Sequence, residues 1–128
     1  MTEIILDTNI LLRHFLGDIP DQSQKATKII TELEESQTIG FLSILVINEL
    51  IWILKRFYNL PRKTYVPQIL KILQINNIKI LEIKKELLIK ILQNMKKREI
   101  DFTDVYLAEI ANNRKIVSFD KDLQRLQS

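Results

Sequence analysis

Apolar residues along the chain follow two patterns, short strand-like runs and longer stretches with helical spacing. The short runs predict four strands, at residues 4–6, 39–43, 78–83 and 115–119. Apolar residues spaced three and four apart predict helices at residues 10–16, 21–34, 44–58, 61–73, 87–95, 101–113 and 120–126. Strands that alternate with helices predict an α/β domain whose parallel sheet is joined by right-handed crossovers.

The length of the chain fits a single domain. Its 128 residues lie within the usual range of about 100–150 residues for one hydrophobic core. No repeat, low-complexity segment or change in composition marks an internal boundary, so residues 1–128 are expected to form one domain. The sequence therefore predicts a four-stranded parallel sheet flanked by helices.

The predicted helix at residues 44–58 is apolar nearly all round. Such a helix has to be buried on more than one side, either by the core alone or by the core and a second subunit. Glu49 lies in this helix, where an unpaired carboxylate is costly to bury. The nearest basic residues that follow it are Lys55 and Arg56, so a bound metal ion is an economical partner for Glu49.

The composition restricts the chemistry more than it restricts the fold. The chain has no cysteine and one histidine, which excludes disulfide frameworks, cysteine-ligated zinc, iron–sulfur clusters and multi-histidine sites. Metal or acid–base chemistry must therefore run mainly on oxygen ligands. Several carboxylates that converge without histidine or cysteine favour a hard cation, Mg²⁺ or Mn²⁺.

The sequence does not predict export or a membrane span. The N-terminal residues lack the basic region and the long apolar stretch of a signal peptide. The longest apolar tract, residues 39–54, is interrupted by Asn48 and Glu49 and is shorter than the roughly 20 residues that cross a bilayer. We therefore expect a soluble cytoplasmic protein with no membrane partner.

Charge is distributed unevenly, although the net charge is only +3. Residues 55–98 carry twelve basic and two acidic groups, whereas the segments before and after them are net acidic. This distribution favours a polyanion that is guided to an acidic centre, provided that a metal offsets the charge of that centre. The alternative is that the basic residues only solvate helix faces, which is common on soluble proteins.

A dense basic cluster lies between two predicted helices and consists of Lys55, Arg56, Arg62 and Lys63. These side chains would either contact the phosphates of a nucleic acid or simply face solvent. Trp52 lies nearby in sequence and would either stack on a base or pack in the core.

Acidic residues collect where the predicted strands end. Ligands of open parallel sheets bind at the carboxyl ends of the strands, and Asp7 ends the first strand while Asp120 follows the fourth. Glu49 lies in the helix after the second strand, and Asp101 and Asp104 begin the helix before the fourth. Each aspartate has an alternative role as a helix cap or as a favourable charge at a helix N-terminus. Their common edge nevertheless predicts a metal site.

Four short motifs follow one another along the chain. They are Asp7-Thr8-Asn9, Asn48-Glu49-Leu50, Asp101-Phe102-Thr103-Asp104 and Ser118-Phe119-Asp120. In this order the motifs resemble those of the PIN-domain nucleases, and the resemblance covers essentially the whole chain. The short length and the ending Asp120-Lys121-Asp122 are most similar to the VapC-type toxins of that family. The family's domain often has a fifth strand, which residues 123–128 hardly provide.

The resemblance implies an acidic quartet that binds metal and carries out catalysis. Carried over position by position, this quartet falls on Asp7, Glu49, Asp104 and Asp120. Asp7 and Asp104 would ligate the metal directly, while Glu49 and Asp120 would ligate it or hold its water molecules. Further polar groups of the site would be Asn9, Asp101, Ser118 and Asp122. Whether Asp101 or Asp104 is the main ligand is left open.

The function implied by the resemblance is that of a Mg²⁺- or Mn²⁺-dependent endoribonuclease, the toxin of a VapBC-type toxin–antitoxin system. Cleavage would leave 5′-phosphate and 3′-hydroxyl ends, usually in structured RNA such as tRNA or ribosomal RNA. A homodimer and a cognate VapB-type antitoxin are implied as well. The alternative is a PIN-like fold that only binds RNA or protein. The four matching acids argue against it, because a binding scaffold has no need of mutually repelling carboxylates.

Overall fold

The computed structural model describes residues 2–35 and 37–127. The described residues form three strands and seven helices. In chain order they are β1 (Thr2–Ile5), α1 (Thr8–Leu16), α2 (Pro20–Glu34), β2 (Thr38–Leu42), α3 (Ile44–Arg56), α4 (Arg62–Leu73), β3 (Ile78–Ile80), α5 (Lys85–Lys97), α6 (Phe102–Ile110) and α7 (Lys121–Gln127).

The three strands form one parallel sheet in the order β1-β2-β3. β2 is the central strand, and its Gly40 is level with Ile4 of β1 and with Ile78 of β3. A Cβ atom at Gly40 would lie 3.0 Å from a methyl carbon of Leu33, so the missing side chain lets α2 pack close to the strand. The parallel sheet confirms the predicted α/β class.

The helices cover the sheet and bury one continuous apolar core. α1 packs against α2 and α3, while α4 and α6 pack against α5. Side chains from the sheet and from the helices share this core, and among the most deeply buried are Leu42, Leu50, Leu54, Val66 and Ile78. Each such side chain contributes about 1.5–3 kcal/mol by leaving water. Within the described residues no helix is both long and apolar enough to cross a membrane.

Within one chain α3 is buried on one side only, so the core alone does not cover this helix, and burial of its other face by a second subunit stays a prediction. Its buried side chains recur at helical spacing and are Ile44, Ile47, Leu50, Ile51 and Leu54. The opposite face is open to solvent and carries Leu45, Asn48, Glu49, Trp52, Lys55 and Arg56. The sequence pattern does not show the exposed face, because Leu45 and Trp52 are apolar residues at exposed positions.

The fourth predicted strand is not formed. Residues 114–118 are irregular, and β1 is an unpaired edge of the described sheet. Side-chain amides of α7, and not a neighbouring strand, form hydrogen bonds with the backbone groups of this segment. Gln127 Oε1 accepts from the N–H of Ile116 at 2.7 Å, and Gln124 Nε2 donates to the carbonyl oxygen of Ser118 at 2.6 Å. Apolar sequence alone therefore did not decide whether this segment joins the sheet.

The third predicted strand also needs correction. β3 ends at Ile80 rather than at residue 83, because Glu82 turns out of the sheet line and bonds to the start of α3. Residues 123–127 belong to α7, so the described residues contain no fifth strand, and Ser128 lies outside them.

Candidate functional site

Asp7 lies just beyond the carboxyl end of β1. It is the N-cap of α1, and its Oδ1 accepts a hydrogen bond from the N–H of Thr8 at 2.8 Å. Asp7 is solvent-exposed, as is Asn9 in the first turn of the same helix. Asp7 therefore caps a helix and at the same time remains accessible to a ligand.

Glu49 lies on the exposed face of α3, next to the exposed Asn48. This face of the helix is in contact with water, so the prediction that burial forces Glu49 to find a cation is wrong. An exposed carboxylate needs no partner. Its accessibility, and not its burial, is what qualifies Glu49 as a ligand.

Glu82 is a further carboxylate at this edge, and the sequence analysis assigned it no role. Its Oε1 accepts from the N–H of Ile44 at 2.8 Å, and its Oε2 accepts from the hydroxyl of Ser43. Ser43 Oγ in turn accepts from the N–H of Leu45, as an N-cap does. Glu82 therefore serves the N-terminus of α3. No sequence signal indicated this, since the residues are far apart along the chain.

Four carboxylates come together where α6 and α7 begin. Asp101 is the N-cap of α6 and Asp104 lies in its first turn, while Asp120 and Asp122 lie at the start of α7. Partial burial raises the pKa of the Asp104 carboxyl, and the negative charges of Asp120, Asp101 and Asp122 raise that pKa further. We call these four residues the α6–α7 acidic cluster.

Local hydrogen bonds fix the α7 side of this cluster. Asp120 Oδ1 accepts from the N–H groups of Asp122 at 2.8 Å and of Leu123 at 3.4 Å, so Asp120 caps α7. Ser118 Oγ accepts from the N–H of Asp120 at 2.9 Å. Asp122 forms an ion pair with Arg125 of its own helix. Ser118 thus shapes the turn that presents Asp120.

The remaining two predicted acids do not join the cluster. Asp7 and Glu49 are not among the charges that raise the pKa of Asp104. Across residues 2–35 and 37–127, no three acidic or histidine side chains are placed to share one metal ion. The open edge of β1 lies next to Asp7, and Ile5 of that strand is 73% exposed.

Arg62 holds the chain segment that leads to the acidic cluster. Its Nη1 donates to the carbonyl oxygens of Met95 at 3.0 Å, of Arg98 at 2.6 Å and of Ile100 at 2.9 Å. Its Nη2 lies 4.0 Å from a carboxylate oxygen of Asp101. The sequence does not reveal this role of Arg62, because the three carbonyl groups belong to the end of α5 and the loop after it, more than thirty residues away.

A cleft of about 200 Å³ opens beside the acidic cluster, between α3, α4 and the start of α6. We call it the α3–α4 cleft. Its wall includes Asn48, Trp52, Lys55, Arg56, Arg62 and Asp101. Lys55 Nζ lies 3.4 Å from Oδ1 of Asp101. The basic cleft and the acidic cluster therefore meet at Asp101.

Comparison with known families decides the class of the chain. The sequence profile of the PIN domain matches residues 4–128. The chain belongs to the PIN-domain family. No curated protein matches it in a sequence search. PIN domains are generally metal-dependent nucleases that act on RNA, so this PIN domain falls in the hydrolase class.

The donor chemistry of this PIN domain fits a hard divalent cation. The α6–α7 acidic cluster offers only carboxylate oxygens, the ligands that Mg²⁺ and Mn²⁺ prefer. Partial burial is the main cause of the raised pKa of Asp104, and the negative charges of Asp120, Asp101 and Asp122 add to it, so a bound cation would favour the ionised carboxylate. The residues therefore fit the metal by type, although the described geometry does not gather three of them around one point.

Proposed function

We propose that this PIN domain is a Mg²⁺- or Mn²⁺-dependent endoribonuclease and the toxin of a VapBC-type toxin–antitoxin system. The observation that carries the proposal is the contact between the α6–α7 acidic cluster and the basic α3–α4 cleft at Asp101. A polyanion such as RNA is attracted by the cations of the cleft and is thereby brought to a cation-binding centre.

The proposal assigns the metal to Asp104 first, with Asp101 and Asp120 beside it. Asp7 and Glu49 complete the set of acids from α1 and α3, and both are accessible. When bound, the ion would lower the pKa of a water molecule and stabilise negative charge on the scissile phosphate. The leaving group would be the 3′-oxygen, so that the products carry 5′-phosphate and 3′-hydroxyl ends.

Other residues of the chain would position the acids. Arg62 anchors the loop before α6 and thereby fixes where Asp101 and Asp104 begin that helix. Ser118 fixes the turn before Asp120. Asn9 follows Asp7 by two residues and is exposed. Its side-chain amide would orient the carboxylate of Asp7 or a water molecule.

We also propose that the active form has a fourth strand beside β1. Ile5, Val117 and Phe119 are exposed apolar side chains on the two segments that would pair, and the edge of β1 is open. Pairing would satisfy that edge and bring the segment before Asp120 towards Asp7. The measurement is amide hydrogen exchange, in which protection of residues 2–5 and 115–119 should rise together when Mn²⁺ and RNA are added.

The proposed partners are a second copy of the chain and a VapB-type antitoxin, in the cytoplasm with the RNA substrate, tRNA or ribosomal RNA. Support for a dimer comes from two exposed apolar side chains near the start of α3. Leu45 lies in its first turn, and Leu81 precedes Glu82, which bonds to that turn. A Leu45→Lys variant that is monomeric where the parent is dimeric in sedimentation would support this surface.

The decisive test of the activity incubates the purified protein with total bacterial RNA and Mg²⁺ or Mn²⁺ and sequences the new 5′ ends. Parallel reactions contain EDTA, or the Asp7→Asn or Asp104→Asn variant. The matched control is Asp21→Asn, an identical change at an exposed aspartate of α2. Discrete cuts that are lost with EDTA and in both site variants, but kept in Asp21→Asn, are expected.

The alternative function is a binding module without catalysis. It is favoured by one observation, that the described residues hold no three acids placed to share an ion. An RNA that binds the parent and Asp104→Asn equally well and is cut by neither would establish this alternative.

A further inference from the structure

We propose that the α3–α4 cleft holds one unpaired nucleotide of the RNA, with its base stacked on Trp52 and its phosphate bound by Lys55 and Arg56. The inference rests on the proposed function for its substrate class, RNA. It goes further by naming the part of the chain that would select single-stranded over paired substrate next to the cut.

Trp52 is the first observation. Its indole is 54% exposed although it lines a cleft, which is an unfavourable place for an aromatic ring in the free protein. Phe57 lies at a centroid distance of 5.9 Å and at 69° to the indole plane. A nearly perpendicular ring steadies the indole without stacking on it. A flat ligand ring can therefore stack on Trp52, and a nucleobase is such a ring.

The charges around Trp52 are the second observation. Lys55 and Arg56 follow it by about one helical turn and line the same cleft. Arg56 has no hydrogen bond or ion pair within the part of the chain that the structure describes. The pair between Lys55 and Asp101 leaves both side chains about half exposed or more, at 48% and 70%. Such a pair is worth little, so a phosphate can replace Asp101 as the partner of Lys55.

The size of the cleft is the third observation. About 200 Å³ is less than the roughly 300–1,000 Å³ of pockets that enclose a whole drug-sized ligand. The cleft therefore suits one base of a polymer whose remainder lies outside. Glu49 precedes Lys55 and Arg56 by six or seven residues on the same helix, which is about 9–10 Å along its axis. The bound nucleotide would lie beside the acids and not among them.

The combination favours a single-stranded nucleic acid over a protein segment. Aromatic planes that alternate with cations are typical of sites that bind unpaired bases and their phosphates. A phosphate that draws Lys55 away from Asp101 would also leave that carboxylate free for the acidic cluster. An acidic peptide would use the cations but would leave the indole plane without a stacking partner.

The experiment uses Trp52 as its own reporter, because it is the only tryptophan of the chain. Tryptophan fluorescence is measured in EDTA, which prevents cutting, while a short single-stranded RNA, a duplex RNA of the same length or a polyglutamate peptide is added. Quenching that saturates with the single strand, and that neither the duplex nor the peptide reproduces, is expected.

Variants then separate stacking from charge. Trp52→Ala should weaken single-strand binding, measured by anisotropy of labelled RNA, about tenfold, while Trp52→Phe keeps most of the affinity. Lys55→Ala should lower the slope of log affinity against log salt by about 0.7, the value for one phosphate of a single strand. Lys25→Ala removes the same charge from an exposed residue of α2 that does not line the cleft and should leave the slope unchanged.

The outcomes distinguish this inference from the proposed function. RNA that is cut by the parent and by Trp52→Ala at equal kcat/KM, without any quenching, overturns the nucleotide site and leaves the nuclease standing. Quenching by single strands without any cutting supports the nucleotide site and overturns the nuclease. Quenching by polyglutamate that RNA cannot displace overturns the site in favour of a protein partner.

Discussion

Replacement of Arg62 by alanine tests whether one buried guanidinium holds the loop before the acidic cluster. The side chain is about four-fifths buried, and it donates to three backbone carbonyl oxygens at 2.6–3.0 Å. A hydrogen bond to a charged group contributes about 1.5–3 kcal/mol, and water that enters the gap replaces part of that. We therefore expect the free energy of unfolding to fall by about 3 kcal/mol in Arg62→Ala.

Thermal unfolding followed by circular dichroism measures this loss. For a domain of this length, 1 kcal/mol corresponds to roughly 3–4 °C, so Tm should fall by about 10 °C. The Tm of Arg62→Lys should fall by less, because an ammonium group keeps the positive charge and its N–H donors, although the shorter side chain does not bring them to the position of Nη1. The matched control is Arg56→Ala, which removes an exposed arginine without a partner among the described residues and should change Tm by less than about 2 °C.

A Tm of Arg62→Ala within about 2 °C of the parent would refute this reasoning. It would mean that the three carbonyl groups are as well satisfied by water as by the guanidinium. The activity of the variant adds a second readout, since a loosened loop moves Asp101 and Asp104. We expect cleavage to fall in Arg62→Ala even at temperatures at which the variant is fully folded.

Three further predictions concern the acids. Because the folded chain raises the pKa of Asp104, its ionised form is less favourable in the folded than in the unfolded state, and stability falls as pH rises above the ordinary aspartate value. Asp104→Asn should therefore raise Tm at pH 7, with no gain below about pH 3, where both side chains are neutral; an unchanged or lower Tm at pH 7 contradicts the unfavourable burial and charge environment of the carboxylate. The same variant should abolish cleavage, because it removes a proposed metal ligand. Protonated Asp104 cannot bind a metal ion, and its pKa is raised. As the pH is lowered, the affinity for Mn²⁺, measured by titration, should therefore begin to fall at a higher pH than it does for a site of ordinary aspartates. Glu82→Ala should lower the free energy of unfolding by about 1 kcal/mol through the loss of its bonds to α3, whereas Glu86→Ala, an exposed change in α5, should not.

The class of the fold could be predicted because its main signals are local. Buried positions such as Leu50 and Leu54 recur at the helical period, and the short apolar run at residues 4–6 marks the first strand, although Ile5 of that strand is exposed. Secondary structure of this kind depends on neighbours three or four positions away, which a single sequence displays. Family membership followed from short motifs that are local as well.

The remaining features depend on contacts that no local pattern reports. The pattern at residues 115–119 predicts a strand, but the backbone of Ile116 and Ser118 bonds to Gln127 and Gln124 instead. The exposure of Glu49 depends on which side of α3 meets the core, and the apolar Trp52 hid the exposed face. The roles of Arg62 and Glu82 rest on partners more than thirty residues away. The sequence therefore predicts a set of candidate acids, but it does not predict how they are arranged.

The open edge of β1 has a practical consequence for handling the protein. The outer side of β1 has unpaired backbone groups that can pair with a strand of another chain. Ile5 of this strand is exposed, as are Val117 and Phe119 of the irregular segment before α7. Concentrated solutions should therefore aggregate slowly, through edge-to-edge association. An Ile5→Lys variant, with a charge on the strand, should stay clear for longer, as lysine does on natural sheet edges.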